Sequence, residues 1–297
     1  MLHVLRVAPL VIMLLPLLLS RESFAADPTT APAPRDKAEV DAVLAKAPKS
    51  TSPPKPIHVI LIAGPKDHGP GEHDYPAFQK SWAPLLAKSP QTKVTTAWEW
   101  PTKEQWAGVD VAVCYLRTKW TQEQIDDVKA LQSRGGGVVL VHWAIAADGA
   151  GLYDQHKSIV GMTWPRTKYR HGPLELKLTQ PDHPITLGLP NPLKLLDESY
   201  WPMDGDASKI TLLATSDEIV PGSTESKPMP MYWTFEPTHG GRAVVCILGH
   251  YMWTFDDPFF RLMLMRSIAW SGGKETYRFD GLATDPMKTL PDSANAR

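Results

Sequence analysis

Gly135-Gly136-Gly137-Val138-Val139-Leu140-Val141-His142-Trp143-Ala144 decides how this chain folds. Three glycines close a polar run of helical period, and four branched or leucine residues follow without a polar interruption. Such a run reads as a strand covered on both faces, the habit of parallel sheets. His142 and Trp143 come immediately after it. In open α/β sheets ligands bind in the crevice beyond the carboxyl ends of the strands. His142 therefore falls where such a fold places its chemistry.

Upstream, residues 57–62 form a first strand, followed by a loop punctuated by glycine and proline that carries His68 and His73. Phe78, Trp82, Leu85 and Leu86 recur at helical spacing within residues 75–88. Residues 94–98 and 109–116 predict two more strands, the second running out through Tyr115 to Arg117. Thr121 and Gln124 then supply a capping box. The helix it opens turns Ile125, Val128 and Leu131 inward. Strand and helix alternating in this rhythm predict βαβ units with right-handed crossovers.

Downstream the pattern loosens. Residues 149–154 precede a short helix ending at Val160, and residues 167–171 read as polar and exposed. Residues 174–178 alternate strictly, as a half-buried strand does. Residues 193–198 lead toward Tyr200 and Trp201, and residues 209–214 and 229–235 predict two strands with a polar loop between them. A hairpin-like turn at 238–242 enters a buried strand over 243–248, capped by Gly249 and His250. Residues 259–270 form the closing helix. There is no internal repeat.

The ends of the chain read differently. Arg6, an apolar run over 11–19 and the small-residue site Ser23-Phe24-Ala25 form a signal peptide over residues 1–25. Cleavage near Ala25 and Ala26 predicts export to a periplasmic or extracellular compartment, with no membrane segment in the mature form. Residues 26–56 form a Pro- and Ala-rich linker, although Val40, Val43 and Leu44 share one side of a helical stretch within 36–47. Residues 57–273 form one domain, and residues 274–297 a polar tail. The formal net charge is −1 with no block of like charge. That argues against nucleic acid or an anionic membrane as the main partner. The two cysteines, Cys114 and Cys246, lie in strand-like runs and read as buried thiols. Nothing in the sequence specifies an oligomeric state.

Chemistry-bearing residues gather at predicted strand ends: His68 and His73 after the first, Tyr115 and Arg117 after the third, His142 after the fourth and His250 after the last. A buried histidine bonded to backbone is the plain structural reading of any one of them. Random placement of ten histidines would not fill so many strand ends. His142, Glu198 and His250 are the candidate catalytic residues. Glu198 joins them because Leu196, Tyr200 and Trp201 flank it, a setting in which acids face clefts. His68, His73, Tyr115, Arg117, Trp143, His171, Tyr200 and Trp201 are the candidate substrate-binding residues.

Taken in order, these pieces resemble the ThuA-like (trehalose utilisation) proteins, a branch of the class I glutamine amidotransferase-like fold. The matching pieces are the first strand with the His68 loop, Gly135 through His142, Gly161 with the histidine loop after it, and His183-Pro184-Ile185. Asp197-Glu198-Ser199-Tyr200, Gly241-Arg242, Gly249-His250 and Ile268-Ala269-Trp270 complete the set, which spans nearly all of residues 57–272. The resemblance implies a flavodoxin-like three-layer α/β sandwich, a mainly parallel sheet flanked by helices. It also implies a link to disaccharide catabolism through keto-sugar intermediates. One departure matters. Amidotransferases place a cysteine on the sharp strand-to-helix turn, activated by a histidine–acid pair. Here that strand ends Val141-His142-Trp143, so a functional glutamine amidotransferase is not expected.

The expected function is therefore an exported enzyme of carbohydrate metabolism whose histidine/glutamate rim drives isomerisation or eliminative cleavage of a small-molecule keto-sugar. His142, Glu198 and His250 are also a candidate ligand set for a divalent metal such as zinc. Two other classes stay open. One is a non-catalytic carbohydrate-binding protein, with Trp143, Trp164, Trp201 and Trp253 as stacking surfaces. The other is a metal-dependent hydrolase of another substrate.

Overall fold

Each of the three glycines meets a different constraint. Gly135 takes φ +88° at the turn, a left-handed conformation that favours glycine. A Cβ on Gly136 would lie 2.4 Å from Leu131 Cδ1, and one on Gly137 would lie 2.3 Å from the Ser271 carbonyl oxygen. Successive strand residues point to opposite faces. The helices that bear Leu131 and Ser271 therefore press the strand from both sides, closer than any side chain permits.

The computed structural model describes residues 30–49, 52–147 and 151–286. In chain order its elements are α1 (Lys37–Leu44), β1 (Ile57–Ala63), α2 (Tyr75–Ala87), β2 (Thr92–Trp98), β3 (Val111–Tyr115), α3 (Gln122–Ser133) and β4 (Gly137–Val141). Then come α4 (Tyr153–Val160), β5 (Met162–Thr163), β6 (Lys168–Leu178), β7 (Leu193–Trp201), β8 (Asp204–Gly205), β9 (Thr211–Ile219), β10 (Ser226–Phe235), β11 (Arg242–Cys246) and α5 (Pro258–Ser271).

Nine strands form one sheet in the order β2-β1-β3-β4-β11-β10-β9-β6-β7. The first five are parallel, and every residue of β1, β3 and β4 is buried. Their order is that of flavodoxin-like sheets, with β11 in the fifth place. Helices α2 and α5 share one side, where Phe255 joins Phe78 to Phe260 through ring contacts. Helices α3 and α4 pack together on the other. The capping box expected at Thr121 and Gln124 is present at the start of α3. The expected three-layer α/β sandwich, mostly parallel, is the observed fold.

Beyond β11 the sheet continues antiparallel through β10, β9, β6 and β7. The polar stretch over 167–171, exposed as expected at Thr167, Lys168 and Tyr169, also opens β6, where Lys168 pairs with Trp201 and His171 with Glu198. Pairing with β7 satisfies the backbone there, so the segment needs no apolar alternation to be a strand. Only Lys177 and Leu178 of β6 pair with β9. The β6–β7 ribbon is thus anchored at one end and free to project at the other.

The segment expected as a linker contains α1, capped by Asp36, with Val40 and Val43 buried in the core. Arg35 pairs with Asp257 at 2.7 Å and lies over the Phe259 ring. In the stretch expected as a polar tail, Phe279 and Ala283 are buried and Asp280 pairs with the buried Arg266. The signal peptide expected at 1–25 and the end of the tail from 287 lie outside the described residues. Among those that are described, no helix is long and apolar enough to cross a membrane. Cys114 and Cys246 are buried free thiols. Strand β4 lies between their strands, as expected of a non-bridging pair.

Candidate functional site

Because β1, β3, β4 and β11 are parallel neighbours, their carboxyl ends share one rim. The loops after β1 and β11 are stitched together there. The His73 N–H donates to the His250 carbonyl at 2.9 Å, and the Met252 N–H to that of Gly71 at 2.8 Å. His142 begins a 3₁₀ turn, His142–Ile145, directly after β4 and takes φ +56°. His73 takes φ +42°. Left-handed backbone is uncommon outside glycine, and strain of this kind concentrates at functional sites. His142 thus sits on a sharp turn at the carboxyl end of β4.

The acid arrives from the other end of the sheet. The projecting part of the β6–β7 ribbon curls back over the rim. Glu198 and Tyr200, two apart on one face of β7, both reach His142. His171, opposite Glu198 on β6, places Nε2 3.5 Å from Glu198 Oε1 and Nδ1 2.9 Å from the Tyr251 hydroxyl.

Four side chains converge. His73 Nε2 lies 2.8 Å from His142 Nε2 and 2.9 Å from His250 Nδ1. Glu198 Oε2 lies 2.9 Å from His250 Nδ1 and 3.2 Å from His142 Nε2. All four residues are buried, and one donor atom from each falls within 4.8 Å of the others. Imidazole and carboxylate donors without a thiolate suit zinc, iron or manganese.

The proton positions follow from the partners. His142 Nδ1 lies 2.7 Å from the Ile247 carbonyl oxygen, which only accepts, so that nitrogen carries a proton. His73 Nδ1 lies 2.9 Å from Asp67 Oδ1 and donates to it. Burial pushes His73 down to about 3 against the opposing Asp67 hydrogen bond, so the ring is neutral and its Nε2 bare. Burial raises Glu198, but hydrogen bonds and charge from His142 and His250 outweigh it and hold the carboxyl below its ordinary range. Asp67 is likewise held low, by His73 and His68 against its burial. Tyr200, raised by burial and then by the charge of Glu198, keeps its phenolic proton and places the hydroxyl 2.7 Å from His142 Nε2.

The fully buried Asp197 lies behind the acid. Its carboxylate accepts the N–H groups of Glu198 at 2.7 Å, Gly249 at 3.0 Å and His250 at 2.9 Å. Gly249 sits at φ +123°, and a Cβ there would be 3.1 Å from both Val141 and Phe255.

A cleft of about 380 Å³ opens onto this centre, lined by His68, Glu72, Trp143, Trp164, Arg166, Tyr169, His171, Glu198 and His250. Trp164 stacks on Tyr200 at 3.8 Å, and both Arg117 and Arg166 lie over the Trp143 ring. Of the residues expected to bind substrate, His68, Trp143 and His171 line the cleft. His73 does not; it is fully buried in the centre. Tyr115 is buried and donates to the Gly249 carbonyl at 2.6 Å. Tyr200 is buried against His142, and the Trp201 indole donates to the Ile219 carbonyl. Arg117 sits 3.4 Å from Asp67.

Sequence reasoning missed Asp67, Asp197, Glu72, Arg166, Tyr169 and Tyr75, whose hydroxyl lies 2.9 Å from His73 Nδ1. Asp67 stands beside His68 in the loop after β1, and that position was its one local signal. Asp197 was overshadowed by its neighbour Glu198.

Comparison with solved structures places the fold. A ThuA-like protein from Parabacteroides merdae superposes with a TM-score of 0.53 at 20% identity, over 73% of this chain and 90% of the other. A ThuA-like protein from Bacteroides uniformis gives 0.54 at 18% identity, over 76% and 94%. No curated protein matches the chain. The family described as ThuA, trehalose utilisation, matches residues 59–271. The chain belongs to the ThuA, or trehalose-utilisation, family.

Proposed function

We propose that His73, His142, Glu198 and His250 hold a divalent metal ion at the floor of the cleft, and that the protein is an exported enzyme acting on a small carbohydrate. One observation carries the metal reading. Two imidazole nitrogens, each with its ring proton committed to the opposite side, face one another at 2.8 Å, with a third imidazole and a carboxylate against them. Lone pairs at that distance repel unless a proton or a cation lies between them, and the Tyr200 hydroxyl, 2.7 Å from His142 Nε2, offers its proton to only one of the two. A proton serves two such atoms; a metal ion serves all four. Asp67 and the Ile247 carbonyl are the outer partners that fix the tautomer of metal-bound histidines.

The carbohydrate reading rests on family membership and on the cleft. A bound ion would supply Lewis-acid polarisation of a sugar carbonyl or hydroxyl. The side chains around it do the rest. His68, its Nδ1 held by Asp67 at 2.9 Å, lines the cleft with His171 as a hydrogen-bonding partner for substrate hydroxyls. Convergent buried histidines favour an enzyme over a plain binding module, whose recognition would rest on open aromatic faces. Export rests on the charge, apolar run and small-residue site of residues 1–25.

Metal analysis of the purified protein beside a His142→Ala/His250→Ala double variant tests the metal reading. Near-stoichiometric zinc, iron or manganese in the wild type and none in the variant is the expected result. No metal in either, even after incubation with Zn²⁺ or Mn²⁺, would overturn it. Turnover of a keto-glycoside then tests the carbohydrate reading.

A further inference from the structure

We infer that Asp197 is a positioning residue that sets the separation of Glu198 and His250, and through it the binding strength of the site. This rests on the reading of the four-residue centre given above. Glu198 and His250 come from opposite regimes of the sheet, one from the projecting β6–β7 ribbon and the other from the loop after the parallel strand β11. No backbone ladder joins those two segments directly, because β7 and β11 are separated by β10, β9 and β6. Their register at the rim therefore needs another device.

Asp197 supplies it. One oxygen, Oδ1, accepts from both the Glu198 and the His250 N–H, and Oδ2 accepts from the Gly249 N–H. A single fully buried carboxylate thus ties the backbone of the acid to that of the histidine. The two side chains then meet at 2.9 Å. The device needs both oxygens. In asparagine one of them becomes an NH₂ group, which donates and so opposes either the Gly249 N–H or the pair at Oδ1. Water cannot replace the lost acceptor without opening the joint, since Asp197 is fully buried. Gly249 adds a second requirement, because its φ of +123° aims its N–H at Asp197 in a conformation that L side chains rarely adopt.

The test is Asp197→Asn in the full-length protein, with Zn²⁺ affinity measured by competition and Co²⁺ absorption recorded at saturation. Outer-shell losses weaken metal affinity by about 10- to 100-fold, and that range is expected for Zn²⁺. The Co²⁺ bands should move as well, because His250 shifts relative to Glu198. A purely structural role would lower the melting temperature but leave the saturated Co²⁺ spectrum of the folded protein unchanged. Zn²⁺ affinity within twofold of wild type with an unchanged spectrum would overturn the inference. If Asp197→Asn does not fold, Asp197→Ser keeps one acceptor at smaller volume and takes the same measurements. Failure of both to fold would also overturn it, by making Asp197 a requirement of the fold. If the wild type binds neither ion, the metal reading falls. Asp197 is then judged by the Glu198–His250 distance in an Asp197→Asn crystal structure, where an unchanged 2.9 Å contact refutes it.

Discussion

His73 Nε2 and His142 Nε2 lie 2.8 Å apart, and the opposite nitrogen of each ring is held by an acceptor, Asp67 for one and the Ile247 carbonyl for the other. The contact joins the loop after β1 to the end of β4. A ligand bound by the folded protein alone stabilises it by about 4 kcal/mol at a thousandfold excess over Kd. For a domain of this size that is worth about 8–16 °C. Stripping with EDTA should lower the melting temperature by that order in the wild type and leave the His142→Ala/His250→Ala variant unmoved. Equal curves with and without EDTA in the wild type would count against a bound ion.

Away from the site, His156 in α4 is fully buried with neither ring nitrogen hydrogen-bonded, packed 4.8 Å from Trp120. Burial pushes it down to about 3, below the 6.5 of an unfolded histidine. The unfolded chain therefore binds the extra proton first. The contribution is fully present above pH 6.5 and is lost as pH falls toward 3, at about 1.4 kcal/mol per pH unit. Urea midpoints at pH 7.5 and 5 should converge in His156→Leu relative to wild type. An unaltered pH slope would refute this assignment.

Helix α1 belongs to the folded body. Val40 is 2% and Val43 4% exposed, and both join the main core. At ~0.8 kcal/mol per buried methylene, Val40→Ala and Val43→Ala should each cost about 1.5 kcal/mol. Chemical denaturation of the double variant should show the sum, and a loss below 0.5 kcal/mol would mean that the helix does not dock in solution.

Cys114 and Cys246 sit on β3 and β11 with β4 between them. Two strand spacings come to about 9.5 Å, beyond the Cα separation of about 7 Å that a disulfide tolerates. Thiol titration in guanidinium should find two thiols per chain, and native protein should react with neither. One or none after denaturation would contradict the strand order.

Much of the site was legible because of one inference. Parallel strands put their carboxyl ends on one rim, so His68, His73, His142 and His250 are neighbours once β1, β4 and β11 are recognised as parallel. Roles within the rim were less legible. His73 and His68 are five residues apart in one loop, yet one is fully buried in the centre and the other has a third of its side chain exposed. The turn geometry decides that, and no local pattern encodes it. Tyr115 and Tyr200 ended as supports for the same reason: the ring that fills the space behind a histidine is chosen by packing.

The sequence by itself determined the parallel block. The left-handed turn at Gly135 and the capping box at Thr121 have local physical causes, and the unbroken apolar runs mark strands covered on both faces. Gly136 and Gly137 answer instead to the close approach of Leu131 and Ser271. Tertiary structure alone decided that the polar 167–171 stretch is a strand, that β6 and β7 curl over the rim, and that Asp197 joins Glu198 to His250. Those outcomes depend on hydrogen bonds, backbone to backbone in the ribbon and backbone to side chain at Asp197, between segments tens of residues apart, and such bonds leave no periodicity in either segment.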